Sequence, residues 1–444
     1  MPLFCFKIYD MKVYIIILLV LCFNLINAQA PELQNGPMLG YVTHREAAIW
    51  IQTEKEAAVE LIYHSTNAET TYTKKVLTRG EKAYTATIIA DSLQPGTTYE
   101  YQIKVDNQLI NNKADQLKFT TQQLWQHRND PPNWKMALGS CTYVNEKEYD
   151  RPGEPYGGGY SIFESIHKKS PEIMLWLGDN IYTREVDFYS LSGYQKRYTH
   201  TRKIKEMQPL LSNTHHYAIW DDHDYGPNNT DRSNIHKYDA LAAFKQFWAN
   251  PTYGFYDESC AVTQFKYNDA EFFLLDDRWF RSPNDRKTGD RVYLGETQLQ
   301  WLIDALVRSE ATFKFVAIGG QVLNSAKVFE NYSTYPKERE KLLSLLAQEK
   351  IKNVIFLTGD RHKTELSKLT RNGIDFYDFT VSPLTATAYN SDDEPNKNRV
   401  EGTHYGKRNF GMVEFTGKYE NRKVKLTIND VKGNQVWSRM IQRQ

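Results

Sequence analysis

Side chains able to hold a metal ion stand at the ends of short apolar runs. KMALGSC (135–141), EIMLWLGD (172–179), HYAIWDD (216–222), FKFVAIGGQ (313–321) and NVIFLTGD (353–360) close on Cys141, Asp179, Asp222, Gln321 and Asp360. Just beyond them come Tyr182 in GDNIY, His223 in DDHD and His362 in GDRH. Taken singly, each has an ordinary explanation: a Gly-Asp turn, a solvated acidic loop, a buried structural thiol. Together they point to cation binding. Asp221, Asp222, His223 and Asp224 sit against an apolar strand, where they repel and desolvate one another unless cations or hydrogen bonds compensate. Asp360 and His362 stand two residues apart on a loop, so both can face one ion or two neighbouring ones.

The elements that position these groups are legible from their hydrophobicity. The runs above, with AEFFLLDD (270–277), are continuous rather than alternating, as in strands buried on both faces. GETQLQWLIDALVRS (295–309) and KEREKLLSLLAQE (337–349) between them carry a helical period. Strands alternating with helices predict a layered α/β domain over 135–444, with ligands at the carboxyl ends of the strands.

Residues 31–121 read differently. AAIWIQT (47–53), AAVELIYHS (57–65), AYTATIIA (83–90), TYEYQIKV (98–105) and LKFTT (117–121) are short runs separated by turn residues, as in a small β-sandwich. LQPGTTYEYQI (93–103) resembles the tyrosine corner of fibronectin type III domains, where a Tyr hydroxyl ties a loop to the sheet. With no binding motif in it, the module is expected to be a spacer rather than an adhesion or carbohydrate-binding domain. The polar stretch 122–134 is expected to be the linker.

Composition sets outer limits. The chain has 444 residues, 41% of them hydrophobic, and 55 Lys+Arg against 54 Asp+Glu, which leaves too little positive charge for a nucleic-acid scaffold. Four cysteines are too few for a disulfide framework. Residues 13–23 (VYIIILLVLCF) follow Lys12 and lead to Ala28, the pattern of a secretory signal peptide over 1–28. Its cleavage would remove Cys5 and Cys22, leave no transmembrane anchor, and place the mature chain outside the cell or in the periplasm. No later segment approaches the ~20 apolar residues of a membrane-spanning helix.

GSC, LGDNIY, IWDDHD, LLDDR, LGETQLQWL and LTGDRH, in this order, resemble the alkaline phosphatase D (PhoD-like) family of calcineurin-like metallophosphatases, over about residues 133–444. The resemblance implies an α/β metallophosphatase sandwich, two packed mixed sheets flanked by helices, preceded by the small Ig/fibronectin III-like sandwich. It implies a phosphoester hydrolase with a Fe³⁺ site of Cys141, Asp179, Tyr182 and His362, in which thiolate and phenolate suit a ferric ion. Asp179 would bridge to a Ca²⁺ site completed by Asp222, Asp360 and, less securely, Gln321, with zinc or another divalent metal as an alternative occupant. A metal-activated oxide or hydroxide would attack phosphorus, and His223 would protonate the leaving group or hold the phosphate. Arg278 in LLDDR would contact phosphate or, more in keeping with its neighbours, pair with Asp276. Asp224 stands where the family usually has Glu. The Gly- and Tyr-rich stretch 142–163 is a lid, a substrate rim or an ordinary loop. The competing function is a non-catalytic, metal-stabilised protein that binds glycans or a surface.

Overall fold

The computed structural model describes residues 33–67, 70–110 and 117–444. The proposed signal peptide, with Cys5 and Cys22, lies outside the described residues. Among those described, no helix is long and apolar enough to cross a membrane.

Two mixed sheets pack face to face and carry the site. The first has nine strands in the order Gln435–Gln442, Lys423–Asp430, Asn409–Thr416, Trp134–Gly139, Ile173–Leu177, His215–Ile219, Asn35–Val42, Ala47–Gln52 and Thr85–Ala90. The second has six: Thr263–Tyr267, Ala270–Leu274, Phe313–Ala317, Val354–Thr358, Ile374–Thr380 and Glu365–Arg371. The strand period of two sorts their side chains between layers. Ile173, Leu175 and Leu177 join Phe313, Phe315 and Ala317 in the core between the sheets. Met174 and Trp176 face the other way, against helices Ser161–Lys168, Leu191–Arg202 and Lys237–Phe247. Val316 and Ile318 face the outer helices Glu296–Arg308 and Pro336–Gln348. The result is the helix-flanked double sheet that the resemblance implies.

In each sheet the central strands run parallel. Ile173–Leu177 lies between Trp134–Gly139 and His215–Ile219, and Phe313–Ala317 between Ala270–Leu274 and Val354–Thr358. Their carboxyl ends therefore share one edge. His215 and His216 point to opposite faces: His215 Nδ1 lies 2.7 Å from the Gly40 carbonyl, while the Trp176 indole donates to His216 Nδ1 at 2.9 Å.

The upstream module departs from a detachable spacer. Asn35–Val42 pairs in parallel with His215–Ile219, so three of the module's strands extend the large sheet. Trp50 donates to the Gln246 carbonyl at 2.7 Å, and the Val42 amide donates to the Tyr217 hydroxyl at 3.1 Å. Its second sheet is Thr71–Leu77, Ala58–Ser65, Thr98–Val105 and Gln108–Leu109, with Lys118–Thr120 on Thr98–Val105. The tyrosine corner is present, with the Gln94 amide donating to the Tyr99 hydroxyl at 2.8 Å. The stretch read as a linker is tied down as well, since Gln122 Nε2 donates to the carbonyls of Val42 and Lys266.

Candidate active site

Four side chains at the shared edge are aimed inward by one backbone device. Cys141, Asp179, Asp360 and His362 all have left-handed backbone, with φ of 61°, 49°, 60° and 52°. Non-glycine residues adopt this conformation at a cost, and it concentrates at functional sites. Here it turns the chain sharply as it leaves each strand, so that the side chains converge.

Cys141, Asp179 and His362, with Asp222 and His223 beside them, form two adjoining donor groups. Ligand atoms of Cys141, Asp179 and His362 lie within 4.8 Å of one another, as do those of Asp179, Asp222 and His223. Asp179 belongs to both. Tyr182 completes the first group: its hydroxyl is 3.1 Å from Asp179 Oδ2 and 3.0 Å from His362 Nε2. His362 Nδ1 lies against the Thr387 carbonyl, which only accepts, so Nδ1 carries the proton and Nε2 presents a bare lone pair to the group. The Ser382 hydroxyl donates to Cys141 Sγ at 3.1 Å and accepts from the His362 amide at 2.9 Å. Neither Thr387 nor Ser382 belongs to a motif, because their roles arise from the chain returning past Cys141.

The electrostatics call for cations. Burial pushes the Cys141 thiol up to about 12. Burial, then repulsion from Asp222 and Cys141, holds Asp179 well above the carboxylate range. Burial also raises Asp360 to about 7, with Glu330 and Asp222 adding to the effect. Asp222 Oδ2 accepts from the Asn229 amide at 2.6 Å, while its Oδ1 is buried without a hydrogen-bond partner, with the Arg278 guanidinium 3.9 Å away. A buried carboxylate oxygen that makes no hydrogen bond, beside Asp179, fits a bound cation. Thiol, phenol, imidazole and carboxylate in the first group fit a ferric ion, and the oxygens of Asp179 and Asp222 fit a harder one.

Two readings from sequence need correction. Gln321 has no lone pair to spare: its Nε2 donates to Glu365 and Thr380, both at 2.8 Å, and its Oε1 accepts from Asn324 and Arg361, both at 2.7 Å. It belongs to a buried polar cluster rather than to the donor groups. The Arg278 side chain pairs with Asp221, its Nε 2.6 Å from Oδ1, and with Glu330 at 2.8 Å. Asp276 instead accepts from the Arg278 and Trp279 amides and the Trp220 indole. Arg278 is fully buried and does not line the cavity described below, so it does not reach a substrate there. His223 brings a ring nitrogen within 4.8 Å of carboxylate oxygens of Asp179 and Asp222, so it is a potential donor as well as a potential acid. Asp360 is near enough for the Asp222 charge to help raise it, yet outside both tight groups.

The unusual Asp224 braces the site. It accepts from the Asn180 backbone and side chain at 3.1 Å, from the Tyr198 hydroxyl at 2.9 Å and from the Asp221 amide at 3.1 Å. It thereby joins two neighbouring strand ends. Asp221 is lodged where only glycine leaves room, since a Cβ on Gly319 would stand 2.4 Å from Asp221 Oδ2.

Above the donor groups opens a cavity of about 980 Å³, lined by Tyr182, His223 and the stretch from Tyr143 to Tyr156. The Gly- and Tyr-rich segment is thus the wall of the site.

Comparison with known proteins agrees with this geometry. Residues 136–432 match the PhoD-like phosphatase family model, and residues 30–124 match a domain of unknown function, DUF7800. Alkaline phosphatase D of Bacillus subtilis (strain 168) is 22% identical over 336 residues, 65% of this chain and 54% of that protein. The chain thus spans about half the length of that curated relative. The structure of PhoD superimposes with a TM-score of 0.74 at 16% identity, over 94% of this chain and 90% of its own. Purple acid phosphatase PPD1 from yellow lupin (Lupinus luteus) seeds gives 0.67 at 13%, over 92% and 74%. At these identities the structural likenesses speak to fold alone. The family match takes in all six strands of the second sheet and every donor residue, and the chain belongs to the PhoD-like phosphatase family.

Proposed function

We propose that this chain is an exported, metal-dependent phosphoester hydrolase. The observation that carries the reading is the pair of donor groups sharing Asp179 beneath a substrate-sized cavity. Cys141, Asp179, Tyr182 and His362 would hold Fe³⁺. Asp179 and Asp222, with Asp360 close by, would hold Ca²⁺; the imidazole of His223 beside them suits zinc equally well. Two such cations, when bound, supply Lewis acidity for the phosphoryl oxygens and a nucleophile at neutral pH.

The protein's own groups do the rest. The Thr387 carbonyl keeps the proton of His362 on Nδ1. Ser382 offers a hydrogen bond to the Cys141 sulfur, stabilising it as thiolate. His223 both adjoins Asp222 and lines the cavity, so its imidazole can pass a proton to the departing alkoxide. The apolar run 13–23 supports export.

The test is metal analysis of the purified mature chain together with turnover of p-nitrophenyl phosphate and bis-p-nitrophenyl phosphate. Iron is expected, with a visible charge-transfer band from thiolate and phenolate. Zinc without iron would overturn the iron assignment, and no turnover of either ester by metal-replete protein would overturn the hydrolase.

A further inference from the structure

The cavity above the donor groups is far larger than a phosphate needs. Its volume of about 980 Å³ is at the upper end for small-molecule sites, and the reacting phosphorus would occupy only its floor, near Tyr182 and His223. The rest must receive the alcohol portion of the ester, and two features define that portion.

The first is aromatic. Tyr156 and Phe188, both half-buried, line the cavity. Tyr143 and Tyr182 stand behind Tyr156, with ring centroids 4.9 and 6.1 Å from it. Outside, Phe188 meets Tyr189 at 6.0 Å; Tyr189 is 71% exposed and lies 6.0 Å from His236. Rings in edge-on contact therefore lead from Phe188 on the cavity lining to the surface.

The second is charge. Arg184 is paired with Asp150 at 2.6 Å and Arg151 with Glu185 at 3.1 Å. That leaves Lys147 against Glu148 and Glu154 on the lining, so no surplus cation remains for a second anionic group. The Arg151–Glu185 pair also ties the exposed stretch Arg151–Pro155 to the segment following Tyr182. At 86% and 62% side-chain exposure it is weak enough to open for entry.

We infer that the cavity is a specificity pocket for the uncharged, ring-bearing alcohol of a phosphate ester, seated between Tyr156 and Phe188, and that it disfavours short alkyl esters and polyphosphates. This rests on the hydrolase reading, and the test separates the two. Kinetics of the full chain are compared within matched pairs: thymidine 5′-phosphate against glycerol 3-phosphate, and thymidylyl-thymidine against glycerophosphoglycerol. Glucose 6-phosphate and thymidine triphosphate are run alongside. The ring-bearing ester is expected to have a KM about tenfold lower, the low end of ring stacking on aromatic side chains, and the triphosphate a higher one. A lower KM for thymidylate or for glucose phosphate supports the pocket, and the better of the two identifies the ring.

Phe188→Ala, and Phe188→Leu should the first fold poorly, should lower the ring-to-glycerol ratio of kcat/KM about fivefold. Thymidine binding to the resting protein, followed by tyrosine fluorescence, gives a readout free of turnover. Binding that Phe188→Leu weakens, with no hydrolysis of any ester, would sink the hydrolase and keep the pocket. Turnover with equal KM values across each pair, and no thymidine binding, would sink the pocket and keep the hydrolase.

Discussion

At the scale of single residues, the donor groups show how a buried site depends on what will occupy it. Burial pushes the Cys141 thiol up to about 12 despite the hydrogen bonds from Ser140 and Ser382, so a nearby cation is needed to draw it down to thiolate. The same burial makes Cys260 inert: it too is fully buried with a raised thiol, but it belongs to neither donor group. Cys141→Ala is therefore expected to lose the visible band and to cut kcat/KM by more than the about 10–100-fold that outer partners of a metal site command. Cys260→Ala should keep both. Absorbance and ester turnover of the two variants check this, and equal behaviour would remove Cys141 from the site.

At the scale of elements, strand His215–Ile219 is the seam between the upstream module and the catalytic sheet, and its histidines set its acid limit. Burial lowers His216 from 6.5 to about 3 and His215 to about 4. Below pH 6.5 the unfolded chain takes up protons that the folded strand refuses, so stability is fully present above 6.5 and falls as pH drops towards 3. Each histidine contributes up to about 1.4 kcal/mol per pH unit in that window. His216→Gln, which can still accept from Trp176 and donate to the Leu210 carbonyl, removes one such proton. Urea unfolding of both proteins at pH 6.5 and 5 should show the variant losing less stability over the interval. Equal losses would mean that His216 is not buried neutral.

At the scale of the whole molecule, the upstream module is part of the catalytic fold's wall. Removing it would leave an open edge along His215–Ile219 and strip Trp50 from the helix carrying Gln246. Exposed hydrophobic edges of this kind pair with other chains. A chain beginning at residue 122 is expected to aggregate or melt well below the full chain, as light scattering and thermal unfolding would show. A truncated chain with the parent's melting temperature would restore the spacer reading.

What could be read from sequence follows from locality. Continuous apolar runs marked the buried strands, because burial on both faces leaves no polar period, and the helical periods between them marked the layers. The chemistry at the strand ends was legible for the same reason: Cys141, Asp179, Asp222, Asp360 and His362 each follow directly from a strand, and parallel strands put such ends on one edge. Pairings between distant segments are not written in local pattern. The polar residues 122–134 look like a linker whether or not Gln122 docks on Lys266. Gln321 sits at a strand end like the others, yet its amide is captured by Glu365, Thr380, Asn324 and Arg361 arriving from elsewhere. Arg278 lies two residues from Asp276 but finds Asp221 and Glu330, because the nearer carboxylate is taken by backbone amides. Sequence by itself determined which metal-capable residue types stand at the strand ends and which segments would be strands, since both are properties of residues and their immediate neighbours. Tertiary structure alone decided which donors meet, how each is held, and what stands above them, since those depend on contacts between segments far apart in the chain.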